Sequence, residues 1–130
     1  MPPDIPPEIP ACIMQAAEDY SVPARALIAL FMTEGGRIGS ANRNTNGTYD
    51  YGPMQINTVW VNHFNKNFGI TAEMLQNDFC FAMRAAAYIL RYEINQAGGD
   101  FWQGIGHYHS RNPDYKARYI RVVYSNSQKF

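Results

Sequence analysis

The sequence predicts an α+β domain, mainly helical, with one small β-hairpin inserted between helices. Three observations carry this. Apolar residues recur at helical spacing through most of the chain. Residues 37–57 break that period and hold a strong turn signal, Asn46-Gly47. Gly pairs and Pro residues stand where the periodic stretches begin and end. The chain has 130 residues, 46% hydrophobic and 17% charged, a globular composition. A chain of that length can bury about two-thirds of its unfolded surface, enough for one core.

Residues 1–8 are proline-rich and read as an extended lead-in. Residues 9–130 contain no repeat and no linker, and read as a single domain. Ile9 to Tyr20 is helical by period, with Ile9, Ile13, Ala16, Ala17 and Tyr20 on one face. Pro23 suits the first position of a second helix, Ala24 to Glu34, which turns Leu27, Leu30 and Phe31 inward. Gly35-Gly36 stops it. Arg43-Asn44-Thr45 and Thr48-Tyr49-Asp50-Tyr51 flank the Asn46-Gly47 turn as hairpin arms. Thr58 to Asn65 and Thr71 to Gln76 are short helices. Asp78 to Gln96 is the longest and central helix, with Phe81, Ala85, Tyr88, Ile89 and Tyr92 inward, and Gly98-Gly99 ends it. Phe101 to His107 is a short helix. Asn112 caps and Pro113 opens a last helix running to about Tyr124.

Charge narrows the function. Eleven Lys+Arg balance eleven Asp+Glu, so the formal net charge is zero. Broad basic binding of nucleic acid or anionic membrane is excluded on that ground. The longest purely apolar run, Ala26 to Met32, is far too short to span a bilayer. His63, His107 and His109 lack a fourth ligand at a recognised spacing, so no metal is expected. Asn42-x-Asn44-x-Asn46-Gly47 starts like a calcium loop but puts Pro53 where a bidentate Glu is required. No cofactor is expected either. Arg111, Lys116, Arg118 and Arg121 enrich the last helix in positive charge, as a solvated face or as a dock for an acidic partner. Cys12 and Cys80 are compatible with two buried thiols or with one bridge. Residues 1–7 show no export signal, which fits a cytosolic protein or one whose signal has been removed.

Two carboxylates carry the chemistry. Glu34 ends an apolar helix, where the helix dipole and apolar neighbours both disfavour its charged form. A raised pKa is what a general acid near neutral pH requires. Asp50 sits in the second arm of the hairpin. A hairpin beside a helix end can hold two carboxylates across a cleft, the arrangement that glycoside cleavage uses. Taken singly, either residue also fits an ordinary surface position.

The segment Asn42-Arg43-Asn44-Thr45-Asn46-Gly47-Thr48-Tyr49-Asp50-Tyr51-Gly52-Pro53-Met54-Gln55-Ile56-Asn57 resembles the active-site hairpin of c-type lysozymes. It is still more similar to the GLMQI segment of lytic transglycosylases of the SLT type. Residues 26–36 resemble the helix that ends in those families' catalytic Glu. Gly106-His107-Tyr108-His109-Ser110 resembles the transglycosylases' A-Y-N-x-G segment. The blocks stand in family order over roughly residues 10 to 124, nearest to the small muramidases of bacterial type III and type IV secretion and conjugation systems.

This resemblance implies a lysozyme-like fold with its hairpin beside an active-site cleft. It implies cleavage of the β-1,4 MurNAc-GlcNAc bond of peptidoglycan, locally opening the wall for a secretion or conjugation assembly. Glu34 would be the acid and then the base, and Asp50 the second carboxylate. Tyr51, Met54, Gln55, Asn57, Trp60, Tyr108 and His109 would bind substrate, with Met54 and Gln55 lining the cleft and Tyr108 contacting Glu34. Trp60 fits a sugar-stacking position or a core position. His109 stands where the family has Asn, Pro53 where it has Leu or Ile, and Gly35 where transglycosylases have Ser.

The resemblance also implies a periplasmic or otherwise extracytoplasmic location, a Cys12–Cys80 disulfide, peptidoglycan glycan strands as ligand, a machinery protein as possible partner, and a monomer. Transglycosylation to a 1,6-anhydro product is the leading outcome. Lysozyme-type hydrolysis by Glu34 and Asp50 is the alternative, and a non-catalytic glycan-binding scaffold is the reading of a different class. Zero net charge fits a local enzyme, because it lacks the positive field that would steer a free-ranging one to an anionic wall.

Overall fold

A computed structural model describes residues 9–130, with side chains from Ala11 onward. The proline-rich lead-in at 1–8 and the inward placement of Ile9 lie outside the described residues. Seven helices and three short strands follow in order: α1 (Ile9–Tyr20), α2 (Ala24–Glu34), β1 (Ala41–Arg43), β2 (Tyr49–Tyr51), β3 (Ile56–Asn57), α3 (Thr58–Phe68), α4 (Ala72–Asn77), α5 (Phe79–Gln96), α6 (Phe101–His109) and α7 (Pro113–Ser127). This is the α+β class that the sequence predicts.

Helix α5 is the hub, with α1, α4 and α6 packed on it, while α2 packs against α7. Its buried stripe is Phe79, Ala82, Met83, Ala86, Leu90 and Ile94, widened by Ala85, Ala87 and Ile89. Alanines at the crossings let neighbouring helices come close. Phe81 and Tyr92, expected inward, are 38% and 41% exposed instead. The small-residue stripe takes the centre, and these two rings sit at its margins. Leu27 and Leu30 of α2 are fully buried as expected, and Phe31 packs edge-on to Phe79 at 5.3 Å.

Capping sets the boundaries. Asn57, Thr71, Asp78, Asp100 and Asn112 each accept a backbone N–H at the start of the following helix. Pro23 precedes α2 as its N-cap and is not its first residue. Three helices outrun their expected ends by two residues or more. Helix α3 continues to Phe68 until left-handed Gly69 stops it, α6 continues to His109, and α7 to Ser127. None of the intervening residues is a breaker.

The expected hairpin is two strands of a three-stranded antiparallel sheet, β1-β2-β3. Asn42 faces Asp50, and Asp50 in turn faces Asn57. The third strand exists because the chain reverses between Gly52 and Gln55, both at positive φ. A Cβ on Gly52 would lie 2.3 Å from the Leu75 carbonyl oxygen, so only glycine lets this turn rest on α4. Gly36 is constrained likewise: a Cβ there would lie 2.3 Å from the Gly52 carbonyl oxygen. This contact seats the sheet against the end of α2.

Cys12 and Cys80 form a disulfide with Cα atoms 5.7 Å apart, tying α1 to the start of α5. Among the described residues, no helix is long and apolar enough to cross a membrane.

Candidate active site

The end of α2 and the sheet enclose a cleft of about 240 Å³. Its lining brings together Glu34, Asp50, Gln55, Asn57, Trp60, Tyr108 and His109, with Asn44, Asn46 and Thr48 from the hairpin. These side chains include two carboxylates and no Lys or Arg.

Glu34 is the last residue of α2. Gly35 takes up a left-handed conformation with its N–H on the Phe31 carbonyl, closing the helix behind it. The helix end is pinned to α7: Asn126 Nδ2 donates to Thr33 Oγ1 at 2.9 Å. Desolvation pushes the Glu34 carboxyl up to about 7, and the nearby charge of Asp50 pushes the same way. Against them, the Tyr119 hydroxyl donates to Glu34 Oε2 at 2.5 Å and favours the charged form. Desolvation wins. Near neutral pH the carboxyl is therefore divided between protonated and ionised forms, so it can both give and take a proton.

Asp50 comes from the middle of β2. Asn57 Nδ2 donates to Asp50 Oδ1 at 3.0 Å and to Thr48 Oγ1 at 3.1 Å. The oxygen of the same amide accepts from Val59 N at 3.1 Å, capping α3. Asn57 thus fixes Asp50 and starts the next helix. Gln55 is held by two contacts: its Nε2 donates to the Gly52 carbonyl at 2.8 Å, and its Oε1 accepts from Asn42 Nδ2 at 3.1 Å.

Other predicted residues fall elsewhere. The Met54 side chain is fully buried in the core, so the expectation that it lines the cleft is corrected. Its carbonyl still matters, because the Tyr108 hydroxyl donates to it at 3.1 Å. Tyr51 lies outside the cleft lining, half-buried and packed beside Tyr49. Tyr108, expected to contact Glu34, spends its hydroxyl on Met54, and the hydrogen bond to Glu34 comes from Tyr119. His109 stacks on Tyr119 with ring centroids 4.6 Å apart, and burial pulls its pKa down. Trp60 combines both expected positions. It borders the cleft and packs against His63, Phe64, Tyr88 and Tyr92.

Sequence reasoning missed Tyr119, and also Asn44, Asn46 and Thr48 of the cleft lining. For Tyr119 a signal was present: Tyr119 and Val123 share the buried face of α7, and a buried tyrosine hydroxyl needs a partner.

A protein-family model, Transglycosylase SLT domain, matches residues 11–125. The chain belongs to the SLT transglycosylase family. Protein IpgF of Shigella flexneri is 31% identical over 130 aligned positions, covering 90% of this chain and 84% of its own. Invasion protein IagB of Salmonella typhimurium is 27% identical over 123 positions, covering 91% and 76%. Every residue lining the cleft lies inside the matched SLT span, as does Tyr119. As an SLT transglycosylase the chain is an enzyme whose substrate class is peptidoglycan. The SLT domain here holds Asp50 in the same cleft as Glu34, in a sheet that pairs it to Asn42 and Asn57.

Proposed function

We propose that this enzyme cleaves the β-1,4 bond between N-acetylmuramic acid and N-acetylglucosamine by lytic transglycosylation. The observation that carries the reading is one carboxyl, Glu34, held at about 7 in a cleft with no cation to ionise it. The protonated Glu34 gives its proton to the bridging oxygen as the C1–O bond breaks. The muramic acid C1 becomes oxocarbenium-like, and Asp50, steadied by Asn57, stabilises that charge. Glu34, now ionised, takes the proton from the 6-hydroxyl of the same muramic acid. That oxygen closes on C1 and gives the 1,6-anhydro product. Trp60, Gln55, Tyr108 and His109 are the glycan-binding side chains in this reading. The enzyme acts outside the cytoplasm and opens the wall locally for a secretion or conjugation assembly. An aligned relative named as an invasion protein supports that setting.

A specific observation favours a second reading. Asp50 borders the cleft, as hydrolysis with water as acceptor would require. Mass spectrometry of digested sacculi separates the two. Muropeptides ending in an anhydro ring are expected, and ordinary reducing ends, heavier by one water, would overturn transglycosylation in favour of hydrolysis.

Tyr119 tests the electrostatics of the same carboxyl. Its hydroxyl hydrogen bond lowers the Glu34 pKa, so Tyr119→Phe removes that contribution and the pKa rises. Rate against pH for the variant should keep its shape, with the alkaline limb moved to higher pH. The maximal rate should fall about tenfold, the worth of one orienting hydrogen bond. An unmoved limb would remove Tyr119 from the acid's environment.

A further inference from the structure

A second concavity, about 280 Å³, adjoins the cleft and shares only Trp60 with it. Val59 and His63 of α3, Tyr92 and Glu93 of α5, and Arg111 complete its lining. Its walls are aromatic: Tyr92 meets the Trp60 indole edge-on at 5.3 Å, and His63 does so at 5.4 Å. Tyr92 is 41% exposed and Val59 69% exposed. The side of the indole away from the core is thus an open apolar shelf.

A cation is built into this shelf. Glu93 is the one buried charged residue among the described side chains. Its Oε1 accepts from Arg111 Nη2 at 2.6 Å, and the Arg111 side chain is 61% exposed. A buried carboxylate is costly to maintain. Here it engages one donor of a planar five-donor fork, while Arg111 stays largely exposed and lines the concavity. A largely exposed guanidinium beside apolar rings fits a short peptide that carries a free carboxylate.

The cleft's own substrate brings such a group. Each muramic acid of peptidoglycan carries a short peptide stem with free carboxylates. A glycan strand lying along the cleft must project its stems from it, and the shelf is the adjoining concavity. We propose that the Trp60–Tyr92–Arg111 shelf binds the peptide stem, with a stem carboxylate on the Arg111 guanidinium and the stem's apolar side chains against Tyr92 and Val59. The proposal rests on the lytic reading of the cleft and adds its specificity: stem-bearing strands in preference to bare glycan.

The test compares glycan strands before and after an amidase has removed their stems. Arg111→Gln keeps an amide that can donate to Glu93, and Tyr92→Ala removes the exposed ring without touching the charge pair. For each variant, kcat/KM on stem-bearing strands should fall about tenfold through KM, as expected for losing one charge-assisted or aromatic contact at a partly wet site. On stemless strands both variants should stay within about twofold of the parent. Equal losses on both substrates, or none on either, would overturn the stem site while leaving the lytic reading intact. A parent that cleaves neither substrate would overturn the lytic reading and the stem site together.

Discussion

Glu34→Gln should abolish lytic activity while making the folded protein more stable, and the stabilisation should depend on pH. The activity loss follows from removing the cleft carboxyl that is poised to give and take a proton near pH 7. General acid–base catalysis contributes about 10²- to 10⁴-fold, and kcat should fall within that range. The stability gain follows from linkage. The Glu34 carboxyl sits at about 7 in the folded chain against 4.5 in the reference state. The folded state therefore holds the proton more tightly than the unfolded one. Below pH 4.5 both states are protonated and burial carries no ionic penalty. As pH rises from 4.5 to 7 the unfolded state releases its proton first, so stability falls, and above 7 the loss is complete. That difference corresponds to at most about 3 kcal/mol, and about 1–3 once solvent at the cleft mouth is allowed for. Glutamine carries no charge at any of these pH values. The variant should therefore match the parent at pH 4 and exceed it in melting temperature by several degrees at pH 8. Thermal melts at the two pH values, beside a turbidity assay on cell walls, check both halves. A variant that clears walls as fast as the parent would show that Glu34 is not the acid.

That result would also explain why Glu34 was legible early and its neighbours only in part. An acid at the end of an apolar helix is a local feature: its position on the helix and the Gly35-Gly36 stop are both written in sequence. Asp50 was legible through its turn, because Asn46-Gly47 fixes which residues face one another. The third strand was not, since it depends on Gln55 adopting a left-handed backbone that no glycine announces. The family resemblance placed Met54 in the cleft together with Gln55. Alternation along the reversed chain instead sends its side chain inward and only its carbonyl toward Tyr108. The Tyr108–Tyr119 exchange has the same origin. Which of two hydroxyls reaches a carboxylate 74 or 85 residues earlier depends on how α6 and α7 pack, and helical period constrains that only loosely. Phe81 and Tyr92 show the limit of the periodic rule: bulk suggested core, but alanines occupy the helix crossings and leave the rings outside.

Removing the Cys12–Cys80 bridge should lower the melting temperature by roughly 10–15 °C while sparing activity at 25 °C. The bridge spans 68 residues of sequence, and a closed loop of that length is worth about 4 kcal/mol in the chain-entropy model. Helix α1 depends on it more than the other helices do. Among its described side chains only Ile13, Ala16 and Ala17 are buried, and two of those are alanines. Burying them stabilises the helix by about 3–5 kcal/mol. Ordering twelve backbone residues costs about 1–2 kcal/mol each, only part of which the helix recovers through its own hydrogen bonds. Among the described residues the one ion pair between α1 and α5 is Asp19 with Arg84, which are 34% and 44% exposed, so solvent screens it and it adds little. By contrast, α2, the sheet, α6 and α7 supply Glu34, Asp50, Tyr108 and Tyr119 without help from the bridge. Cys12→Ala/Cys80→Ala, which leaves no free thiol, should therefore lose amide-exchange protection first and most in α1, with the cleft elements still protected and peptidoglycan still cleaved. A melting temperature within about 3 °C of the parent would mean that α1 docks through its apolar face alone. Loss of activity in step with α1 protection would mean that its docking on α5 reaches the cleft through the α5 side chains behind Trp60.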